Sequence, residues 1–170
     1  MKKYFIPILC LVLACITPVT CVVRNIQFKQ NCSGYLKQAA DANTPELALD
    51  CLNKALVYVE KNHLTYGYTS VLWNTEDENL EFWYTNLKAC QKELKACLDG
   101  TQLEKSNVLM KVRESLTDEG QNGTELTIPD GISRYPYNLP FAILNILSII
   151  VITGIVGEVC LRFADWSTNI

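Results

Sequence analysis

The chain is nearly without histidine: His63 stands alone among 170 residues. One imidazole excludes multi-histidine metal centres. Its place after an apolar helical run suits a cation at a helix C-terminus better than a catalytic base. No H-E-x-x-H, H-x-x-E-H or C-x-x-C spacing occurs, and no glycine-rich loop of the phosphate-cradling kind. With no nucleophile–base pair and no metal cluster, the sequence predicts neither catalysis nor a cofactor. Positive charge is scarce as well. There are 15 Lys+Arg against 18 Asp+Glu, a net of −3, and the stretch 24–134 holds 12 against 16, a net of −4. An acidic surface argues against nucleic acid, because phosphate binding needs basic side chains.

Charge is absent altogether from two runs, Phe5–Val23 and Leu139–Gly157. Each is close to the length of a bilayer-spanning helix. The first follows Lys2 and Lys3, the basic start of a secretory signal, but it is long for a cleaved segment and Pro7 and Pro18 interrupt it. Three fates stay open: an uncleaved anchor, cleavage after Cys21, or acylation of Cys15 through the lipobox-like Val12-Leu13-Ala14-Cys15. The second run has Pro140 in its first turn, Tyr135 and Tyr137 before it and Trp166 after it, the aromatic pattern of two membrane interfaces. Glu158 and Arg162, four apart, can pair at its edge. Asn145 and Ser148 can hydrogen-bond across a helix interface, and Thr153 and Gly157 form a small-x-x-x-small pair. Lys2, Lys3 and Arg162 place both ends on the cytoplasmic side and the middle of the chain outside.

The middle is punctuated as helices. Thr44 is an N-cap, Pro45 the first helical residue, and the helix reaches about Asn62. A shorter helix, about Cys32 to Ala42, precedes it. Thr75-Glu-Asp-Glu78 reads as a capping box opening a helix to Leu98, and Thr101-Gln-Leu-Glu104 repeats it for a helix ending near Gly120. Leu80, Trp83, Leu87, Cys90, Leu94 and Cys97 alternate in steps of three and four, a narrow seam suited to one partner helix. The expected architecture is all-α: a small antiparallel bundle of three to four helices tethered to a C-terminal transmembrane helix, with an N-terminal signal or anchor helix. The boundaries are 1–23 signal or anchor, 24–119 helical extracytoplasmic domain, 120–138 linker, 139–161 transmembrane helix and 162–170 cytoplasmic tail.

Four of the eight cysteines, Cys32, Cys51, Cys90 and Cys97, fall in the middle domain. An even count in an oxidising compartment suggests disulfides. If the helix from Pro45 packs antiparallel on the one from Thr75, about a turn near Thr69, Cys51 lies level with Leu87 to Cys90. Cys51–Cys90 is the expected pair, four buried thiols are the alternative, and a homodimer through the seam is a further option. Between these helices, His63–Thr75 together with Phe82, Trp83 and Tyr84 carries six aromatics in 19 residues. They either pin a long loop to the bundle or form a binding surface, with Tyr66, Tyr68, Trp73 and Trp83 the candidates. Glu76, Asp77, Glu78 and Glu81 lack the glycine and spacing of a calcium loop. Asn31-Cys-Ser33 and Asn122-Gly-Thr124 match the glycosylation triplet.

Asn62 to Ala89, within a longer stretch of about 39–98, resembles a segment of short uncharacterised bacterial proteins that have an N-terminal hydrophobic segment and a helical body. The resemblance implies a bacterial envelope setting and brings no activity. Pro45 to Leu56 also resembles the second helix of a tetratricopeptide unit through Ala48, Ala55 and Leu56, an architecture that needs several repeats where this chain has none. The expected role is a membrane-anchored, non-catalytic domain making protein or envelope contacts with an unknown protein partner. The alternative is a small-ligand sensor using the aromatic loop 63–84.

Overall fold

The computed structural model describes residues 2–120 and 123–168. Asn122 of the second glycosylation triplet lies outside the described residues, as do the side chains of Lys2, Lys3, Cys10, Arg162 and Trp166. The chain divides into two compact units, Met1–Arg24 with Tyr137–Ile170, and Asn25–Pro136.

The first unit holds most of α1 (Lys2–Phe28) and α6 (Asn138–Thr168). Thr17 is buried and shares a 3.4 Å hydrogen bond with Ser148, the cross-helix role expected of that serine. The Arg24 guanidinium lies 5.2 Å over the Tyr137 ring and 5.9 Å over the Phe141 ring. Residue numbers therefore rise along α1 as they fall along α6, and the two helices are antiparallel. Within α6, Asn138–Leu161 has a mean hydropathy of 2.5, and it is the one helix among the described residues long and apolar enough to cross a membrane.

The second unit is mostly helical. No break precedes Cys32: α1 passes through a π-helical turn, Lys29–Ser33, into α2 (Gly34–Ala40). The wider turn sends the Gly34 N–H to the Lys29 carbonyl, and a Cβ at Gly34 would meet that oxygen at 2.9 Å. Glycine is what the close approach requires. Helix α3 (Pro45–Lys61) starts as its sequence dictates, with Thr44 accepting a hydrogen bond from the Leu47 N–H and Pro45 at the first position. It buries Ala48, Leu52, Ala55, Leu56 and Val59. Helix α4 (Leu80–Ala96) buries Leu80, Trp83, Leu87, Cys90 and Leu94, and Cys97 is buried just beyond, so all six seam residues face the core. The seam serves two helices, however, because α4 packs on both α3 and α5 (Gln102–Leu116). The Arg113 Nε–H donates to the Ala40 carbonyl at 3.0 Å and ties α5 to the end of α2.

Three further boundaries differ from the sequence reading. Thr75 does not open α4. Its hydroxyl donates to Glu78 at 2.6 Å, but residues Glu76–Glu78 form a separate 3₁₀ turn. Asn79 caps α4, accepting from the Glu81 and Phe82 N–H groups at 3.0 and 3.2 Å. Backbone pairing holds Asn79 extended and delays the helix: Thr69 N–H donates to Glu78 at 3.1 Å and Leu80 N–H to Gly67 at 2.8 Å. Second, α5 ends at Leu116 and an antiparallel hairpin follows, β1 (Thr117–Gly120) with β2 (Gly123–Leu126). The expected all-helical architecture therefore carries a small sheet. Third, the stretch after it is no free tether, since Ile132 is buried and Leu126, Ile128 and Tyr135 pack against the core.

Helix α3 ends in a Schellman arrangement without the usual glycine. Leu64 N–H reaches the Val59 carbonyl at 2.9 Å and His63 N–H the Glu60 carbonyl at 3.2 Å, with His63 at φ 56°. A left-handed residue with a Cβ costs roughly 1–2 kcal/mol. His63→Gly is therefore expected to stabilise the body by about 1 kcal/mol, read as a higher denaturation midpoint at unchanged slope. A lowered midpoint would show that the imidazole contributes more than the backbone strain removes.

Candidate functional site

The loop from Leu64 to Asn79 is tied down at its base. Leu64, Thr69 and Leu80 are buried, Tyr68 forms a β-bridge with Asn79, and the Tyr135 hydroxyl donates to the Tyr66 carbonyl at 3.0 Å. The Asn79 side-chain amide donates to the Tyr68 hydroxyl at 3.4 Å. Burial pushes the Tyr135 hydroxyl above its ordinary pKa. Beyond these ties the loop turns outward. Leu72 is 77% exposed, Trp73 76% and Tyr66 71%, and Val71 is exposed beside them. No charged residue occurs from Leu64 to Thr75.

The four nominated aromatics thus divide. Tyr66 and Trp73 are exposed, Tyr68 is half-buried, and Trp83 is a core residue whose indole N–H donates to the Thr127 carbonyl at 3.0 Å. Trp83 belongs to the seam and pins the chain after the hairpin onto α4. Trp73 pins nothing by burial. The exposed Leu72 was not nominated from sequence. Its neighbourhood with Val71 and Trp73 was the available signal, and apolar residues in a loop carry no period to say which way they face.

A concavity of about 540 Å³ lies where the hairpin meets the start of α4. Phe82, Trp83 and Leu126 line it with Glu76, Asp77, Asp118, Glu119 and Glu125, and among the described residues no Lys, Arg or His does.

Cross-helix bonds fix the pairing of α3 and α4. Glu60 accepts from Tyr84 at 2.9 Å and from Lys88 at 3.3 Å, and Gln91 donates to Asn53 at 2.6 Å. The Tyr84 and Lys88 bonds hold the Glu60 carboxyl below its ordinary pKa, and Glu60 in turn raises that of Tyr84. In this register Cys51 lies past Gln91 toward Leu94, about a turn beyond Cys90. The seven described cysteines are free thiols, Cys51 and Cys90 among them. Cys51 contacts Gln38 on α2 at 3.8 Å, while Ser115 on α5 is the hydrogen-bond partner that faces Cys90. The expected pair is not joined, because its members turn toward different neighbouring helices. Burial pushes the Cys32 thiol up to about 12 and raises Cys90 and Cys97 as well, so these groups stay protonated and unreactive at neutral pH. Cys15 is exposed. Among the described residues no cluster of His, Cys, Asp and Glu could hold a metal ion. No family model, curated protein or solved structure matches the chain.

Proposed function

We propose that the chain is a membrane-anchored, non-catalytic contact domain. Its helical body lies outside the cytoplasm and presents the loop at Val71–Trp73 to a protein partner. The observation that carries this reading is a rigid base with an apolar tip: the loop is hydrogen-bonded at both ends, yet Leu72 and Trp73 are three-quarters exposed. A large exposed aromatic beside an exposed leucine is the kind of group that anchors protein interfaces. A small-ligand sensor would instead need Tyr66, Tyr68 and Trp73 to converge on a concavity. Tyr66 and Trp73 are instead largely exposed to solvent, which favours the protein partner.

Anchoring rests on the apolar span in α6. The antiparallel course of α1 and α6 supports a two-span topology in which both ends share the side marked by Lys2, Lys3 and Arg162. It also favours retention of the first segment, because cleavage after Cys21 would remove the Thr17 partner of Ser148.

A photo-crosslinking residue at Leu72, introduced in the native cells, should capture a protein of one defined mass. The same residue at Leu103, equally exposed on α5, should not. Trp73→Ala should abolish the Leu72 adduct and change stability by no more than about 0.5–1 kcal/mol, as for other exposed positions. Loss of several kcal/mol, or an adduct that survives the substitution, would defeat this reading.

A further inference from the structure

The concavity beside α4 has a chemistry separate from the loop. Its apolar lining is Phe82, 64% exposed, with the buried Trp83 and Leu126. Its rim is a set of carboxylates. Glu76 and Asp77 come from the 3₁₀ turn, and Asp118, Glu119 and Glu125 from the hairpin. The ion pairs Lys54–Asp50, Lys88–Glu60, Lys105–Glu46 and Lys111–Glu93 use other carboxylates. Among the described residues that line the groove there is no lysine, arginine or histidine.

The hairpin register sharpens this. Asp118 stands directly opposite Glu125 in the antiparallel pair. Like charges at directly opposed positions destabilise a two-stranded sheet. A two-stranded hairpin has little stability to spare, and this one carries the repulsion with no lysine or arginine among the described residues lining the groove. A cationic partner would relieve it.

We propose that this groove is a docking site for a basic segment of a partner protein, an arginine-rich stretch with one aromatic or aliphatic anchor. Charge complementarity selects the occupant. The anchor rests on Phe82 and Trp83, and guanidinium groups reach the carboxylate rim and can lie across the exposed Phe82 ring. About 540 Å³ holds a few side chains and not a whole helix, which fits an extended segment. The site shares no residue with Val71–Trp73, so it stands or falls independently of the contact assigned to that loop.

The test uses the full chain in detergent micelles. A dye-labelled Arg-Arg-Phe-Arg-Arg peptide is titrated by fluorescence anisotropy beside its Glu-Glu-Phe-Glu-Glu counterpart. The basic peptide should bind saturably, more weakly as salt rises, and the acidic one should not bind. The double variant Asp118→Asn with Glu125→Gln should weaken binding about tenfold, the scale of two exposed charge contacts. The same variant should raise the melting temperature of the free protein, since it removes the repulsion. A purely structural role for these carboxylates would not couple firmer folding to weaker binding. Phe82→Ser should weaken binding at unchanged melting temperature. Equal binding by the double variant overturns the proposal. So does displacement of the peptide by calcium or spermine at equimolar concentration, which would make the rim a simple cation site.

Discussion

Trp83→Ala is expected to cost about 3–5 kcal/mol, the usual range for removing a buried tryptophan. The side chain is 5% exposed in the first turn of α4, between Leu80 and Leu87 in the seam. Removing it opens a cavity under Leu80 and Leu87 and releases the Thr127 carbonyl. That carbonyl follows β2 directly, so the damage should not remain in α4. Amide exchange along Thr117–Leu126 should quicken more than exchange within α3. Trp83→Phe keeps the six-membered ring but loses the N–H bond and the volume of the fused ring, so it should cost about 1–2 kcal/mol, less than the alanine variant. The measurement is chemical denaturation followed by helical circular dichroism, with exchange read by mass spectrometry. A loss under about 1 kcal/mol for the alanine variant would mean that the hairpin is not held through this residue.

Gly67→Ala is expected to cost about 2 kcal/mol. Gly67 adopts φ 96°, and a Cβ there would stand 2.5 Å from the Tyr135 hydroxyl. Backbone strain of roughly 1–2 kcal/mol adds to the loss of the bond from Tyr135 to Tyr66, worth about 0.5–1.5 kcal/mol. Tyr135→Phe alone should cost only the second part. The double variant should then be less damaging than the sum of the two, because phenylalanine lacks the oxygen that clashes. Strict additivity would show that the loop base does not depend on this contact. If the base loosens, the Leu72 adduct should fade too, although neither variant alters the loop tip.

Much of the helical body was legible because its signals are local. Thr44-Pro45 states a helix start in two residues, and the steps of three and four from Leu80 to Cys97 name every core residue of α4. The hairpin was not legible. Thr-Asp-Glu-Gly and Gly-Thr-Glu-Leu show no alternation of apolar and polar residues, since neither face of so short a sheet is fully buried. The start of α4 was misplaced because Thr75–Glu78 satisfies a capping rule locally, while pairing with Gly67 and Thr69 holds Asn79 extended. That pairing joins residues about ten apart through a loop whose course no period reveals. The exposed tip of the loop and the groove beside α4 are both products of tertiary placement. The carboxylates that meet there come from two regions 40 positions apart and read singly as surface charge.

The buried thiols set a condition on how this protein persists. In the topology proposed above, Cys32, Cys51, Cys90 and Cys97 face an oxidising space in reduced form. Nothing protects them except the packing around them. Each excursion that opens the body exposes nucleophilic sulfur to oxidants, and a mispaired disulfide then blocks the return. In that topology the protein's lifetime is governed by how seldom the body opens, a matter of the barrier to unfolding more than of the free-energy difference between its ends. The same logic applies at biogenesis. The helices that bury these sulfurs must assemble before an oxidase reaches them, so speed of folding from local contacts becomes part of what the fold has to deliver.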